Sequence, residues 1–191
     1  MQKDRMKDTL ISTIAISLKE KLSETISNGH KNYYAFELDC STMAVNYLEK
    51  DIRDKDSDYY KLINELQELT GPVLYWFEIK SNTDRQLIRD CIVKHKARSS
   101  RITPYLRPKF NADSDCLYVG KVKRNFYGRI IQHMGFYSTP KTQGLQLYHW
   151  AKDIGLVVTV HCYELQPEMI DMIAMMEFEM AERKRPIVGK H

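Results

Sequence analysis

The chain lacks the features that staple small folds or anchor a protein in a bilayer. Its four cysteines, Cys40, Cys91, Cys116 and Cys162, form no CxxC pair, so no structural zinc site is suggested. They neighbour apolar residues such as Leu117 and Tyr163, which predicts buried free thiols in a reducing compartment. No run approaches the ~18 consecutive apolar residues of a membrane span. No signal-peptide core follows the charged stretch 1–8, so a cytoplasmic location is expected. Internal repeats and low-complexity tracts are absent too. At 191 residues, 43% hydrophobic and 28% charged, the chain suits one domain, or one domain with a helical appendage. It is long enough to bury a real apolar core.

Charge of one sign is also scarce overall, the net being +4, but it is unevenly placed. Residues 80–109 hold nine basic side chains against only Asp84 and Asp90, a local +7 that leaves −3 for the rest. Such a block is either a solvated helix surface or a polyanion-binding surface. On the second view Arg85, Arg89, Lys94, Lys96, Arg98 and Arg101 are candidates for contact with nucleic-acid phosphates.

Apolar spacing predicts an amphipathic helix over residues 8–27, from Ile11, Ile14, Leu18, Leu22 and Ile26, with Asn28-Gly29 as its stop. Two more helices are predicted over 41–53 and 57–69, the latter capped by Ser57. Residues 1–70 thus read as a helical region that could be a packing collar, a dimerisation element or a target-reading module.

After Gly71-Pro72 the texture changes. Residues 73–79 (VLYWFEI) are β-branched and aromatic, which predicts a strand. A basic helix over about 84–97, capped by Asn82 or Thr83, leads through a loop with Pro104 and Pro108 to a second strand at 116–119. A helix over 125–134, a polar loop through 138–142 and a helix over 144–153 come next. The third strand spans 156–163, and a final helix runs from Pro167 to Pro186. The expected class is α+β: a small, mostly antiparallel three-stranded sheet flanked by helices.

The second strand carries the reactive residues. Tyr118, Gly120 and Lys121 lie in a strand that stops at glycine, and Arg129 and His133 follow four apart on one helix face. An ionisable hydroxyl, a cation that favours the phenolate and a guanidinium for phosphate oxygens are what phosphodiester cleavage needs. Taken singly, Tyr75 and Tyr118 also fit as core tyrosines, and Arg129 with His133 as surface decoration. On the final helix, Met169, Ile170, Ile173, Met176 and Met180 form an apolar stripe, while Glu168, Glu179 and Glu182 face solvent. Glu177 falls about 40° from Ile173, inside the stripe. A carboxylate there is either a rim residue paired with an arginine or a Mg²⁺ ligand.

Together Tyr75, Tyr118-Val119-Gly120, Lys121, Arg129, His133 and Glu177 resemble the GIY-YIG nuclease superfamily. Arg129 lies eleven after Tyr118, His133 four after Arg129, and Pro186 nine after Glu177, as in the family pattern. The resemblance spans residues 71–191 and departs from the pattern in three places. Residues 80–114 are inserted between the two motif strands, the first motif matches only at Tyr75, and Gly189 stands where the family often has asparagine.

The resemblance implies an endonuclease that hydrolyses DNA with Mg²⁺ or Mn²⁺ held by Glu177. Tyr75 or Tyr118, aided by Lys121, would be the base, and Arg129 would stabilise the transition state. His133 would relay a proton or orient phosphate. DNA, duplex or branched, is the expected partner, RNA fits the same phosphate chemistry, and a homodimer would let one site per chain cut two strands. The competing class is a non-catalytic nucleic-acid-binding or regulatory protein on a degenerate nuclease fold.

Overall fold

The computed structural model describes residues 2–108, 111–137, 139, 141 and 143–190, with side chains from Thr9 onward. Lys109 of the basic block, and Ser138, Pro140 and Thr142 of the polar loop, lie outside the described residues. Five helices, α1 (Gln2–Asn28), α2 (Tyr60–Gln67), α3 (Arg85–Arg98), α4 (Phe126–Met134) and α5 (Ile173–Lys184), accompany four strands. The strands are β1 (Asn32–Asp39), β2 (Val73–Ile79), β3 (Cys116–Val122) and β4 (Val157–Glu164). They form one sheet in the order β1-β4-β2-β3, with every strand pair antiparallel.

The α+β class and antiparallel sheet agree with the sequence, but the sheet has four strands rather than three. The extra strand, β1, lies in the region expected to be helical. It alternates: Tyr34, Phe36 and Leu38 point into the core while Tyr33, Ala35 and Glu37 are exposed. Residues on both sides of position 70 therefore share one sheet. They also share one core, in which Tyr47, Ile52, Ile63 and Leu66 meet Phe77 and Phe126.

Two predicted helices are replaced by short 3-10 turns. In 41–53 the turns are Cys40–Thr42 and Val45–Leu48. Asp39 accepts the Ser41 amide at 2.9 Å and its carbonyl takes the Thr42 hydroxyl at 2.9 Å, a local network that competes with helix. In 144–153 the turns are Leu147–His149 and Lys152–Ile154, and Gln146 sits in the left-handed region at φ 59°, which α-helix cannot accommodate. Caps differ as well. Asp84, not Asn82 or Thr83, caps α3 by accepting the Gln86 amide at 2.8 Å. Ser57 accepts the Tyr59 amide just ahead of α2 instead of capping it. Pro167 opens a 3-10 turn, Pro167–Asp171, before α5 begins, and Arg185 at φ 48° ends α5 ahead of Pro186.

Strand β2 lies between β4 and β3. Its Val73, Tyr75, Phe77 and Ile79 face the main core, where Ile88, Ile92, Phe126, Ile130 and Met134 also pack. Leu74 and Trp76 face the other way, against Met172, Ile173, Met180 and Ala181 around α5. On the outer face beyond α5, Tyr33 Oη lies 2.7 Å from His161 Nδ1, and His161 Nε2 lies 2.8 Å from Glu78 Oε2. That chain of contacts ties β1, β4 and β2 together. Residues 186–189 run along the free edge of β3, with Val188 N–H bonded to the Leu117 carbonyl at 3.1 Å.

The fully buried Glu164 joins three elements at one end of the sheet. It accepts bonds from the Gly71 amide at 2.7 Å, Asn32 Nδ2 at 2.6 Å and Lys31 Nζ at 3.1 Å. Burial alone would raise its pKa, but the three donors outweigh burial and hold it below the usual glutamate range. Its stabilisation is therefore present above the unfolded value near 4.5 and is lost as pH falls through the folded one. Glu164→Ala is expected to cost about 1–3 kcal/mol by removing three hydrogen bonds, at least one of them charge-assisted, whose exposed donors can turn to water. Urea unfolding at pH 7 and pH 3.5 checks this, the penalty being smaller at the lower pH.

Candidate active site

Tyr75 is the centre of the cluster. It is fully buried on β2, directly opposite Gly120 of β3. Helix α4 begins at Asn125, whose side chain accepts the Gly128 amide at 3.2 Å, and ends at the left-handed Gly135. This short helix turns Arg129 and His133 toward β2 together. Arg129 Nε donates to the Tyr75 hydroxyl at 3.2 Å, and His133 Nε2 lies 2.9 Å from the same oxygen. The Leu145 amide donates to His133 Nδ1 at 3.1 Å, so the imidazole proton sits on Nε2 and points at Tyr75. The Tyr75 oxygen thus accepts from two donors. Tyr118, half-buried on β3, packs its ring 5.0 Å from His133 and 6.2 Å from Tyr75, and it also bonds Arg129.

Gly120 is required by contact. A Cβ there would lie 2.6 Å from the Tyr75 hydroxyl oxygen and 2.6 Å from Tyr118 Cε1. Without a side chain at this point the two tyrosines can share one space.

Lys121 and Glu177 form an ion pair on the other side of β3. Lys121 is registered with Leu74, whose side chain packs on the α5 layer, whereas Tyr118 is registered with Phe77 in the main core. The pair therefore lies on the face opposite Tyr118. Glu177 is 8% exposed, as its place in the apolar stripe implies, and Lys121 is paired with it. Its charge nevertheless reaches Tyr75, where it works to raise the hydroxyl pKa. The two groups of residues lie on opposite faces of β3.

Burial dominates the electrostatics of the inner group. It pushes the Tyr75 hydroxyl well above its usual value, Tyr118 adds to the rise, and Arg129 only partly opposes it. Tyr75 is therefore a neutral hydroxyl near pH 7. His133 is driven well below the usual histidine range by burial, then by Arg129, so it is a neutral imidazole. Among the described residues no three His, Cys, Asp or Glu side chains gather as a metal cluster.

Some participants were not legible in the motif. Arg129 Nη1 is held by the Gln132 side chain at 2.9 Å and by the Gln143 carbonyl. Residues 143–145 thus brace both Arg129 and His133. The sequence signal was Gly144, where a Cβ would lie 2.5 Å from the Gln132 carbonyl oxygen.

Four cations of the basic segment hold backbone carbonyls. Arg85 donates to the Ser114 and Thr83 carbonyls at 2.9 and 2.6 Å, and Arg89 to the Arg107 carbonyl at 2.5 Å. Lys96 holds the Pro104 carbonyl at 3.1 Å and Arg101 the Tyr137 carbonyl at 2.9 Å. These four cations pin the insertion and the loop after α4. Lys94 and Arg98 are exposed and border a recess of about 250 Å³ that His95 and His149 also line. The insertion reaches the candidate site through Leu106, which bridges Val188, itself bridged to Tyr118.

Comparison with protein-family models, curated proteins and solved structures returned no match for this chain.

Because the folded pKa of His133 is lowered, the unfolded chain binds the extra proton below about pH 6.5. The stability this histidine permits at neutral pH is lost as pH falls through that value. His133→Gln is expected to flatten the stability profile between pH 6.5 and 5.5 by up to about 1.4 kcal/mol per pH unit. Urea unfolding of both proteins across that range measures the difference, and equal slopes would exclude a buried neutral His133.

Proposed function

We propose that the chain is a divalent-metal-dependent endonuclease of the GIY-YIG type that hydrolyses phosphodiester bonds in DNA. The observation that carries this reading is the convergence of Arg129 and His133 on one tyrosine hydroxyl, with the buried Glu177 carboxylate paired to Lys121 on the opposite face of β3. A structural tyrosine needs one partner for its hydroxyl, not a guanidinium and an imidazole together. The donor set suits Mg²⁺ or Mn²⁺ in a restricted sense: one carboxylate, Glu177, would hold the ion, with waters and phosphate oxygens completing the shell. Such an ion, when bound, supplies charge neutralisation at a non-bridging phosphate oxygen and at the leaving 3′ oxygen.

The protein's own groups then have distinct tasks. Arg129, fixed by Gln132 and the Gln143 carbonyl, neutralises negative charge developing on the phosphate. Tyr118 is the better candidate to take a proton from the attacking water, since it is half-buried while Tyr75 is sealed and its hydroxyl pKa is raised. Tyr75 and His133 act as positioning residues that hold the Arg129 guanidinium. Lys121 holds Glu177 and places a positive charge at the edge of the sheet.

The same ion pair favours the second reading, a nucleic-acid-binding protein on a degenerate nuclease fold. An ammonium on Glu177 can stand permanently where a cation would act. Nicking of supercoiled plasmid with Mg²⁺ or Mn²⁺ separates the two. Wild type is expected to cleave, and Glu177→Ala and Arg129→Ala to lose about 100-fold or more. The glutamate variant is expected to keep its DNA affinity. No cleavage by wild type supports the binding-only protein, and equal cleavage by all three assigns the activity to a contaminant. For the basic segment, Lys94→Ala with Arg98→Ala is expected to reduce the slope of log affinity against log salt by about two in a fluorescence-anisotropy titration.

A further inference from the structure

Helix α1 is long and almost unsupported. From Thr9 to Glu20 every side chain is exposed, and only Lys21 and Thr25 are drawn partly inward, toward Gln166 and Met169. At about 1.5 Å per residue the helix extends roughly 40 Å. Of its exposed large apolar residues, Leu10 and Ile16 stand apart and five share one stripe. Ile11, Ile14, Leu18, Leu22 and Ile26 fall within about 60° of one line along it. Their exposures are 66, 47, 38, 38 and 84%, so the stripe predicted for a buried face meets solvent in the single chain.

A second apolar feature continues from the first. Between α1 and α5 lies a groove of about 680 Å³, floored by Leu74, Trp76 and Tyr163 and walled by Met176 and Met180. Leu22 belongs to both the stripe and the groove. On α5, Met175 also lines the groove and is 60% exposed. At roughly 150 Å² per large apolar side chain, the exposed parts of the stripe with Met175 present roughly 500 Å². That is the upper part of the ~300–600 Å² range of a typical monomer's largest patch and about the apolar share of the ~800 Å² that one partner contributes to a stable interface.

We propose that this face is the interface of a homodimer, in which α1 of each copy lies in the groove between α1 and α5 of the other. The area and the single-chain origin of both parts argue for a second copy. One molecule carries an apolar ridge and the apolar groove beside it, which is the self-complementarity a two-fold interface demands. The charges on α1 argue against a lipid surface: its five basic and four acidic residues leave a net of only +1, too little for a cationic face toward anionic headgroups. A helix with this much exposed aliphatic surface also gains most of its stability from packing, which the single chain does not supply along Thr9–Glu20. The inference does not rest on the nuclease reading.

Sedimentation equilibrium of the full chain between ~1 and ~100 µM tests it, a range that covers typical specific dimers. Wild type is expected at twice the 22.5 kDa chain mass. Ile14→Asp with Leu18→Asp, and separately Met175→Asp, are expected to weaken the dimer about 100-fold or more. Near-ultraviolet circular dichroism should remain native, because all three side chains are exposed in the single chain. A wild type that stays monomeric at ~100 µM overturns the proposal, whether or not it binds phosphatidylglycerol vesicles. So does a dimer that neither variant weakens.

Discussion

Strand β2 is hydrogen-bonded on both sides and packed on both faces, and the rest of the structure is arranged around that constraint. A strand with two neighbours offers no edge, so its seven residues can only alternate between two layers. Val73, Tyr75, Phe77 and Ile79 meet the larger core, and Leu74 and Trp76 meet the α5 layer. Helix α4 packs on the first layer and α5 on the second. Each brings its functional candidates to the face it covers: Arg129 and His133 to Tyr75, Glu177 to Lys121.

Strand β3 is an edge strand with a glycine opposite Tyr75. A Cβ on Gly120 would collide with the tyrosine hydroxyl. The chemical character of the inner group follows from burial more than from charge pairing. Arg129 pulls the Tyr75 hydroxyl toward ionisation, yet loss of water outweighs that pull. The outer group instead keeps an ion pair at the sheet edge. For the proposed hydrolysis this divides the labour: the inner residues are fixed and neutral apart from Arg129, and ionic exchange is confined to the edge.

Much of this was legible from local patterns. Periodicity located β2, β3 and β4, α1 to α4 and the final helix, because each has a clear period and turn residues at its ends. The position of Glu177 within an apolar stripe foretold its burial. What escaped has physical reasons. Strand β1 alternates, but its outward residues include Tyr33 and Ala35, so the polar half of the pattern is weak. Residues 41–53 and 144–153 have helix-like composition, yet Asp39 and the left-handed Gln146 favour 3-10 turns. The pairing of Lys121 with Glu177 was not legible, since only the register of β3 against β2 decides which cation faces α5. The basic segment was visible as charge. That four of its cations would hold backbone carbonyls was not, because a guanidinium bound to a carbonyl and one left for phosphate have the same sequence.

The sequence by itself determined the class of fold, the candidate site residues and the apolar faces, since these follow from period, spacing and residue type. Tertiary structure alone decided which of those side chains meet. Tyr75 and Arg129 are far apart in the chain, and only strand pairing with helix packing brings them within hydrogen-bonding distance. It also decided which apolar faces stay uncovered: α1 has the stripe of a core helix, but the fold places it beyond the core. A hydrophobic period states that a face should be buried. What buries it depends on the surfaces that the rest of the chain, or a second chain, can bring against it.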